Sequence, residues 1–362
     1  MKLVRDALAA DSQISDALDS KKRIIAPSSL HPFLAAIRAN ERPLLIVTRS
    51  SRTSEDLAID LRELHDCVYE FPAWETLPHE RLSPRSDTVA QRISTLIELN
   101  TKQSQNPIVV TPVRGLIHRI INSLAQTPVR ELAVGGQCDL KDLIDHLGEL
   151  AYQRTDLVER RGEFAVRGGI VDVFLPLASQ PVRIDFFGDE VEEMRYFAVS
   201  DQRTFTPYLG KLEILPCREL LITDDVKARA LALAGAYPEL SDICTRISQG
   251  TYVEGMESLA SALSPSMKPL LSYLSKGSEL ILLDEERNRS RTLDLVNTSN
   301  EFLEAAWSNA ANGGATPIDL RNLLGGGTYS SFDELREYAQ NVGNFGWRSI
   351  NNFGGDDSTF IE

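Results

Sequence analysis

The chain has 362 residues, of which 42% are hydrophobic, and a formal net charge of −14 at pH 7. This length and apolar content are sufficient for two or three domains with a sizeable core. The negative charge argues against a general nucleic-acid surface, because phosphate binding requires clustered lysines and arginines. A local basic patch is still compatible with this net charge.

The cysteines and histidines predict neither a metal site nor a disulfide framework. The four cysteines have no close pair, and the five histidines show no ligand spacing with one another or with cysteine. The N-terminus has an amphipathic-helix pattern without an apolar signal core, and no segment approaches the roughly 20 apolar residues of a membrane span. We therefore expect a soluble protein of the reducing cytoplasm, with no metal and no membrane partner.

Short apolar runs alternate with helical patterns over the first third of the chain. The apolar runs are at residues 23–26, 44–48, 68–71 and 108–111, and the helical patterns are at residues 30–39, 54–64 and 86–99. This alternation is typical of an α/β domain with a parallel, helix-covered sheet. Because the outline is also that of a nucleotide-driven motor, we expect a helicase-like (P-loop type) domain.

A β-rich block follows, and its strands predict an exposed binding face. In Val182–Phe187 the period of two places Arg183 and Phe187 on the polar face, and in residues 164–167 it places Arg167 outward. Arginine and aromatic side chains on one exposed face are typical of protein-binding hot spots. The alternative is an ordinary solvated strand face, with Phe187 covering a neighbouring loop.

The last third returns to helical patterns, with a further apolar run at residues 280–283, a final helix at residues 331–338 and a charged tail. We expect this block to complete the first sheet, because a continuous sheet accepts an inserted domain at a surface loop. The β-rich block would then be a mainly antiparallel domain inserted into the α/β domain.

The first strand-to-helix turn lacks the groups that hold a nucleotide. A phosphate loop requires a glycine-rich turn and a lysine, but residues 26–33 contain neither, and Pro27 and Pro32 remove two amide donors. We therefore predict that the chain binds no cofactor and neither binds ATP tightly nor hydrolyses it. The degenerate loop itself consists of Pro27, Ser28 and Ser29.

A second trace of a nucleotide site lies in the last block. The apolar run Glu279–Leu283 is followed by Asp284 and Glu285, the form of a magnesium-binding segment in motors of this class. Apolar strands that end in acids are common, so this pattern is weak alone. Together with the missing lysine it indicates a relic, and hence a scaffold whose function resides on other surfaces.

Three segments of the β-rich block resemble a known family. They read RRGEFAVRGGIVDVF from residue 160, PVRIDFFGDEVEEMRYF from residue 181 and SDQRTF from residue 200. These resemble the second domain of the bacterial transcription-repair coupling factors (Mfd), a domain shared in weaker form with the excision-repair protein UvrB. The resemblance implies a docking surface for UvrA, whose implicated positions fall on Arg167, Arg183 and Phe187.

The resemblance also implies a domain division and a function. Residues 1–124 and 209–350 would form the split UvrB-like α/β domain, residues 125–208 the inserted domain, and residues 351–362 a tail or linker. The chain would be the N-terminal, non-catalytic module that recruits UvrA for transcription-coupled nucleotide excision repair. Arg167 and Arg183 would make bidentate contacts to UvrA, and Phe187 would fill an apolar pocket.

Full-length members of that family continue into an RNA-polymerase-binding domain and a DNA translocase that uses ATP and Mg²⁺. Motifs of that translocase are missing from this sequence. The loop-like ending NNFGGDDSTFIE therefore favours a fragment over a stand-alone homologue. RNA polymerase and DNA would be partners of regions outside this chain.

Two rival classes stay open, a UvrB-like damaged-DNA-binding protein and an ATP-driven helicase. UvrB carries a long aromatic hairpin that grips DNA, but the corresponding segment AWETLPHERLSPRSD is short and offers only Trp74 for stacking. Trp74 could instead pin the loop to the core, which we favour. Arg81, Arg85 and Arg92 form a modest basic run, which is interpreted as a solvated face rather than a DNA contact.

Overall fold

The structure is a computed structural model, and it describes residues 1–20, 22–76, 82–101, 106–122, 124, 129–264, 266–311, 329–352 and 358–361. The α-helices are α1 (Lys2–Ala9), α2 (Ser12–Asp19), α3 (His31–Ala39), α4 (Ser51–Arg62), α5 (Ser86–Thr101), α6 (Val113–Ile117), α7 (Leu140–Glu149), α8 (Asp224–Ala236), α9 (Ser241–Ser248), α10 (Ala260–Leu263), α11 (Glu285–Ala311) and α12 (Phe332–Tyr338). Short 3₁₀ turns comprise Ser28–Leu30, Pro238–Leu240, Met256–Leu259 and Leu270–Tyr273, and a π turn comprises Ala339–Gly343.

A seven-stranded sheet forms the centre of the α/β part, and its strands come from both ends of the chain. The strands are β1 (Arg23–Ile25), β2 (Leu44–Thr48), β3 (Val68–Glu70), β4 (Ile108–Pro112), β15 (Glu279–Leu283), β16 (Gly346–Asn351) and β17 (Ser358–Phe360). Their order across the sheet is β17-β1-β16-β15-β2-β4-β3, and every neighbouring pair is parallel.

Helices cover both faces of this sheet, which explains why β2, β4 and β15 are buried and mostly apolar. On one face, Leu45 belongs to a core with Val89 and Ile93 of α5. On the other face, Ile46 belongs to a core with Leu57 of α4. The parallel sheet is therefore enclosed between two apolar layers.

A second, mainly antiparallel sheet lies between the two halves of the first in sequence. Its strands are β7 (Gln153–Arg154), β8 (Glu163–Arg167), β9 (Ile170–Val173), β10 (Val182–Phe187), β11 (Glu190–Phe197) and β12 (Thr204–Pro207), in the order β12-β11-β10-β9-β8-β7. Only the β7–β8 pair is parallel in this sheet. Two small sheets join β6 (Arg130–Leu132) to β13 (Leu212–Ile214) and β5 (Ile120–Ile121) to β14 (Met267–Lys268).

The antiparallel sheet has its own core on one face. Val171 and Ile184 pack in a cluster with Leu143 and Leu147 of α7, and Leu212, which lies past residue 208, belongs to the same cluster. A fold with a parallel sheet and a separate, mainly antiparallel sheet is thus confirmed.

Most of the predicted elements of the first block are present as β1 to β4 and α3 to α5. The prediction was wrong near the C-terminus, where it placed a tail. Asn351 ends β16, and Ser358–Phe360 forms β17 at the edge of the parallel sheet, next to β1. Neither strand has the continuous apolar run that the prediction relied on, because partners distant in sequence supply their pairing.

Within the described ranges, no helix is both long enough and apolar enough to cross a membrane. The same ranges contain no group of three His, Cys, Asp or Glu side chains placed to hold a metal ion.

Candidate protein-binding site

The predicted binding residues lie on the outer face of the six-stranded sheet, opposite the face that packs with α7. Arg183 of β10 pairs in register with Asp172 of β9, which pairs with Ala165 of β8. Arg167 stands two residues beyond Ala165 and therefore projects from the same face. The register thus brings two arginines to a single aspartate.

Asp172 is the centre of this arrangement. Its side chain is only 1% exposed, and its Oδ1 accepts a hydrogen bond from Arg183 Nε at 2.7 Å. Its Oδ2 accepts from Arg183 Nη2 at 2.8 Å and from Arg167 Nη2 at 2.7 Å. The buried carboxylate is therefore compensated by two guanidinium groups, as a buried charge requires.

Arg183 is held from several sides. Its side chain is 18% exposed, its guanidinium carbon lies 5.0 Å from the centre of the Phe197 ring, and its Nη1 donates to the Gln202 carbonyl at 3.3 Å. The hydrogen bond to Asp172 is the main cause that raises the pKa of Arg183. The sequence analysis expected Arg183 to make a bidentate contact with a partner. In the free chain, Arg183 makes that bidentate contact with Asp172.

Arg167 is less constrained than Arg183. Its side chain is 49% exposed. Of its five N–H donors, one has an acceptor in the described part of the chain, namely the bond to Asp172. Arg167 therefore keeps a largely open guanidinium edge.

Phe187 is the exposed aromatic of this face, with 77% of its surface accessible. It ends β10 opposite Glu190, after a shift of register between Asp185 and Phe186. Gly188 follows with φ +61°, the left-handed conformation that the tight hairpin turn requires. Phe187 is thus presented at a hairpin tip, about 13 Å along the strand from Arg183.

The sequence analysis missed Asp172. The residue lies in the otherwise apolar strand IVDV. The alternation rule, applied to this strand, places Asp172 on the outer face. The roles of Arg167, Arg183 and Phe187 in binding a partner stay predictions.

The segment predicted to be a degenerate phosphate loop lies at the carboxyl end of β1. Pro27 precedes the 3₁₀ turn that contains Ser28 and Ser29, and His31 then opens α3. The His31 side chain is buried with Nε2 3.1 Å from the Ala26 carbonyl oxygen, and its burial lowers its pKa. This contact turns the imidazole toward the end of β1.

The two acids predicted to be the other half of a nucleotide-site relic, Asp284 and Glu285, lie two strands away, beyond β16. Asp284 follows β15 with φ +58°, its Oδ1 accepts from the Asn352 amide at 3.4 Å, and it lies 3.7 Å from the Arg287 guanidinium. Glu285 begins α11. The prediction that the chain does not bind ATP tightly stays a prediction.

Trp74 is part of the core, as favoured from the sequence. Its side chain is 5% exposed, its Nε1 donates to Glu219 Oε1 at 2.8 Å, and its ring centre lies 4.2 Å from that of His118. The ring is therefore not placed for stacking on a nucleobase.

Arg92 corrects the interpretation of the basic run. It is 1% exposed, it forms an ion pair with the equally buried Glu219, and its guanidinium carbon lies 4.1 Å from the Phe71 ring centre. Arg92 is thus neither a solvated side chain nor a DNA contact. Arg85 is exposed and pairs with Asp87 at 2.5 Å, and Arg81 lies outside the described residues.

Comparison with known proteins adds a family match to this geometry. A model for the UvrB interaction domain matches residues 131–220. The transcription-repair-coupling factor of Mycobacterium tuberculosis is 41% identical over 343 residues, which cover 90% of this chain and 28% of that protein. The factors of Escherichia coli and Bacillus subtilis are each 28% identical, over 78% and 77% of this chain and 24% and 25% of their own lengths. The chain therefore spans about a quarter of the length of these relatives.

Proposed function

Because the chain is related over most of its length to the transcription-repair coupling factors, we propose that it recruits UvrA to stalled transcription complexes for nucleotide excision repair. In this proposal the module is a non-catalytic scaffold of degenerate helicase-like fold. The whole factor, through regions outside this chain, would use ATP and Mg²⁺ to translocate on DNA and displace RNA polymerase. The site of action would be the cytoplasm.

The main support for the proposal is that the family match and the six-stranded sheet cover the same part of the chain. The residues matched by the UvrB interaction domain, 131–220, contain the complete six-stranded sheet and its outer face. That face presents an exposed phenylalanine and a largely open arginine, the residue types that dominate binding energy at protein interfaces.

The structure supports a division of roles among the three predicted residues. Phe187 would enter an apolar pocket of UvrA, because its exposed ring is costly to leave in water. Arg167 would contact a carboxylate or carbonyl of UvrA with its open guanidinium edge. Arg183, held by Asp172 and Phe197, would mainly position the face.

The DNA-binding alternative has less support. Its candidate aromatic, Trp74, is buried against Glu219 and His118, and Arg92 of the basic run is buried as well. The formal net charge of −14 also opposes binding to a phosphate backbone.

The test is a calorimetric titration of UvrA with the chain and with the Phe187→Ala variant. The parent should bind, and the variant should lose about 1 to 4 kcal/mol of binding free energy. Phe205→Ala is the matched control, because Phe205 is also an exposed aromatic of this sheet but stacks on Tyr196 with ring centres 6.3 Å apart. A folded parent that does not bind UvrA would overturn the proposal.

A further inference from the structure

A partly exposed isoleucine, Ile170, lies on the outer face among the predicted binding residues. Ile170 opens β9, and strand register places it opposite Arg167 of β8 on one side and opposite Asp185 of β10 on the other. Phe187 follows two residues after Asp185 on β10, so it projects from the same face one step further along the sheet. The position of Ile170 is therefore between Arg167 and Phe187.

Ile170 is an apolar exception on the polar side of its strand. Val171 and Val173 are buried in the cluster that contains α7, whereas Ile170 and Asp172 have the opposite parity. Asp172 uses that position to accept hydrogen bonds from two arginines. Ile170 has no polar group, and it belongs to none of the four apolar clusters that the described residues form. Its side chain thus adds apolar surface to the outer face without joining a core.

The turn beside Ile170 and Phe187 contributes no side chain that could cover them. Gly168 and Gly169 connect β8 to β9, and Gly168 has φ +61° with open space where a side chain would begin. The Phe186 amide donates to the Gly169 carbonyl at 2.8 Å, so the turn approaches β10 through its backbone alone. The apolar surface of Ile170 and Phe187 is therefore not screened from this side.

An apolar centre with charged residues around it is the composition of a protein-binding surface. Arg167 flanks Ile170 on one side, and Asp185, which pairs with Arg195 at 2.7 Å, flanks it on the other. A partner that covers Ile170 and Phe187 with apolar side chains removes both from water, a gain that grows with the area covered. A phosphate backbone offers no group that matches this apolar surface, so the composition favours a protein partner.

We propose that Ile170 is a contact residue for UvrA, and that an apolar surface of UvrA covers it together with Phe187. The proposal rests on the proposed function, because UvrA is the docking protein there. Its support is the continuity of the face, since Ile170 pairs directly with Arg167 within the residues that match the UvrB interaction domain. The sequence analysis did not single out Ile170.

The first test is a titration of UvrA with variants that shorten or polarise this side chain. Ile170→Val should weaken binding about three-fold and Ile170→Thr about ten-fold, because they remove one methylene group and a larger part of the apolar surface, respectively. Both variants keep the β-branch that favours an extended backbone. Ile59→Thr is the matched control and should bind like the parent, since Ile59 is 60% exposed on α4, outside the matched residues.

The second test measures contact independently of stability. The Ile170→Cys and Ile59→Cys variants are treated with iodoacetamide, with and without saturating UvrA, and mass spectrometry follows modification at the substituted position. UvrA should slow modification at position 170 about five-fold or more, because contacts at a protein interface exclude solvent. Modification at position 59 should proceed at the same rate in both conditions.

The outcomes separate this proposal from the proposed function. If the parent binds UvrA and Phe187→Ala weakens binding, but Ile170→Thr binds like Ile59→Thr, then Ile170 is not a contact and the function stands. A lower melting temperature of Ile170→Thr, without protection of position 170 by UvrA, would give Ile170 a structural role only and would also overturn the proposal. Weaker binding together with protection would establish the contact. A folded parent that does not bind UvrA would remove the function itself.

Discussion

The carboxylate of Asp172 and the guanidinium of Arg183 face each other across neighbouring strands, joined by two hydrogen bonds of 2.7 and 2.8 Å. Strand register places the two residues directly opposite, so their separation is fixed by the sheet rather than by a loop. The outer face is consequently organised around an ion pair that belongs to the fold.

Asp172→Asn should destabilise the six-stranded sheet. The variant keeps the size of the side chain but leaves two arginines without their counter-charge, and the partly exposed guanidinium groups limit the expected loss to about 1 to 3 kcal/mol of unfolding free energy. Urea denaturation followed by circular dichroism measures it. Asp185→Asn is the comparison, because its partner Arg195 on the same face is more exposed and the loss should be smaller. Equal losses would contradict a special role for Asp172.

Arg183→Ala and Arg167→Ala should differ in what they damage. Arg183→Ala removes the bidentate partner of a buried carboxylate and the contact with Phe197, so it should lower the melting temperature as well as UvrA affinity. Arg167→Ala removes a half-exposed side chain, so it should lower affinity with a smaller change in melting temperature. Thermal melts and titrations of the two variants, measured in parallel, check this. Identical melting temperatures would show that Arg183 does not position the face.

Arg92→Met should cost about 3 to 5 kcal/mol of unfolding free energy, because it leaves the Glu219 carboxylate buried without its cation. The double variant Arg92→Met/Glu219→Leu should recover part of that loss, since both charges are then absent. Denaturant titrations of the two variants test the expectation. A double variant that is less stable than Arg92→Met would mean that packing around Trp74, rather than charge, dominates this cluster.

Stability should fall as the pH decreases from about 6.5 to 5, partly because of His118. Burial lowers the pKa of His118 well below its usual 6.5, and the Arg92 and Arg114 charges lower it further. Below pH 6.5 the unfolded chain therefore binds a proton that the folded chain does not, which favours unfolding by up to about 1.4 kcal/mol per pH unit. Unfolding free energies measured across this range should decline less steeply for His118→Gln than for the parent.

The control for the pH experiment is His146→Gln. Burial also lowers the pKa of His146, but this histidine is less deeply buried and faces Glu149 at 3.8 Å, a contact that opposes the shift. Its replacement should therefore flatten the pH dependence less. A slope that His118→Gln leaves unchanged would show that carboxylates control the decline.

The features that could be predicted are those that depend on residues close together in sequence. The period of two in Val182–Phe187 was sufficient to place Arg183 on the outer face, because strand geometry alone fixes that parity. Arg92 was misjudged because its partner Glu219 is 127 residues away, and one charge in a sequence does not reveal a distant counter-charge.

The strand Gly346–Asn351 shows the same limit in the sheet. Ser349 and Asn351 are buried polar residues, so the strand lacks an apolar run, yet it lies between β1 and β15. Its position follows from parallel pairing with strands far away in sequence, which local periodicity does not encode. Asp172, in contrast, could have been found by applying the alternation rule to its own strand.

The split of the parallel sheet has a consequence for the order in which the chain matures during synthesis. Strand β15 lies between β2 and β16, but it begins at Glu279, long after β4 has ended at Pro112. The core of the inserted block is already complete in sequence at Cys217. A chain that leaves the ribosome from its N-terminus therefore carries every residue of the outer face before its central sheet can close. The antiparallel sheet is synthesised first, and the parallel sheet on either side of it in sequence is completed later.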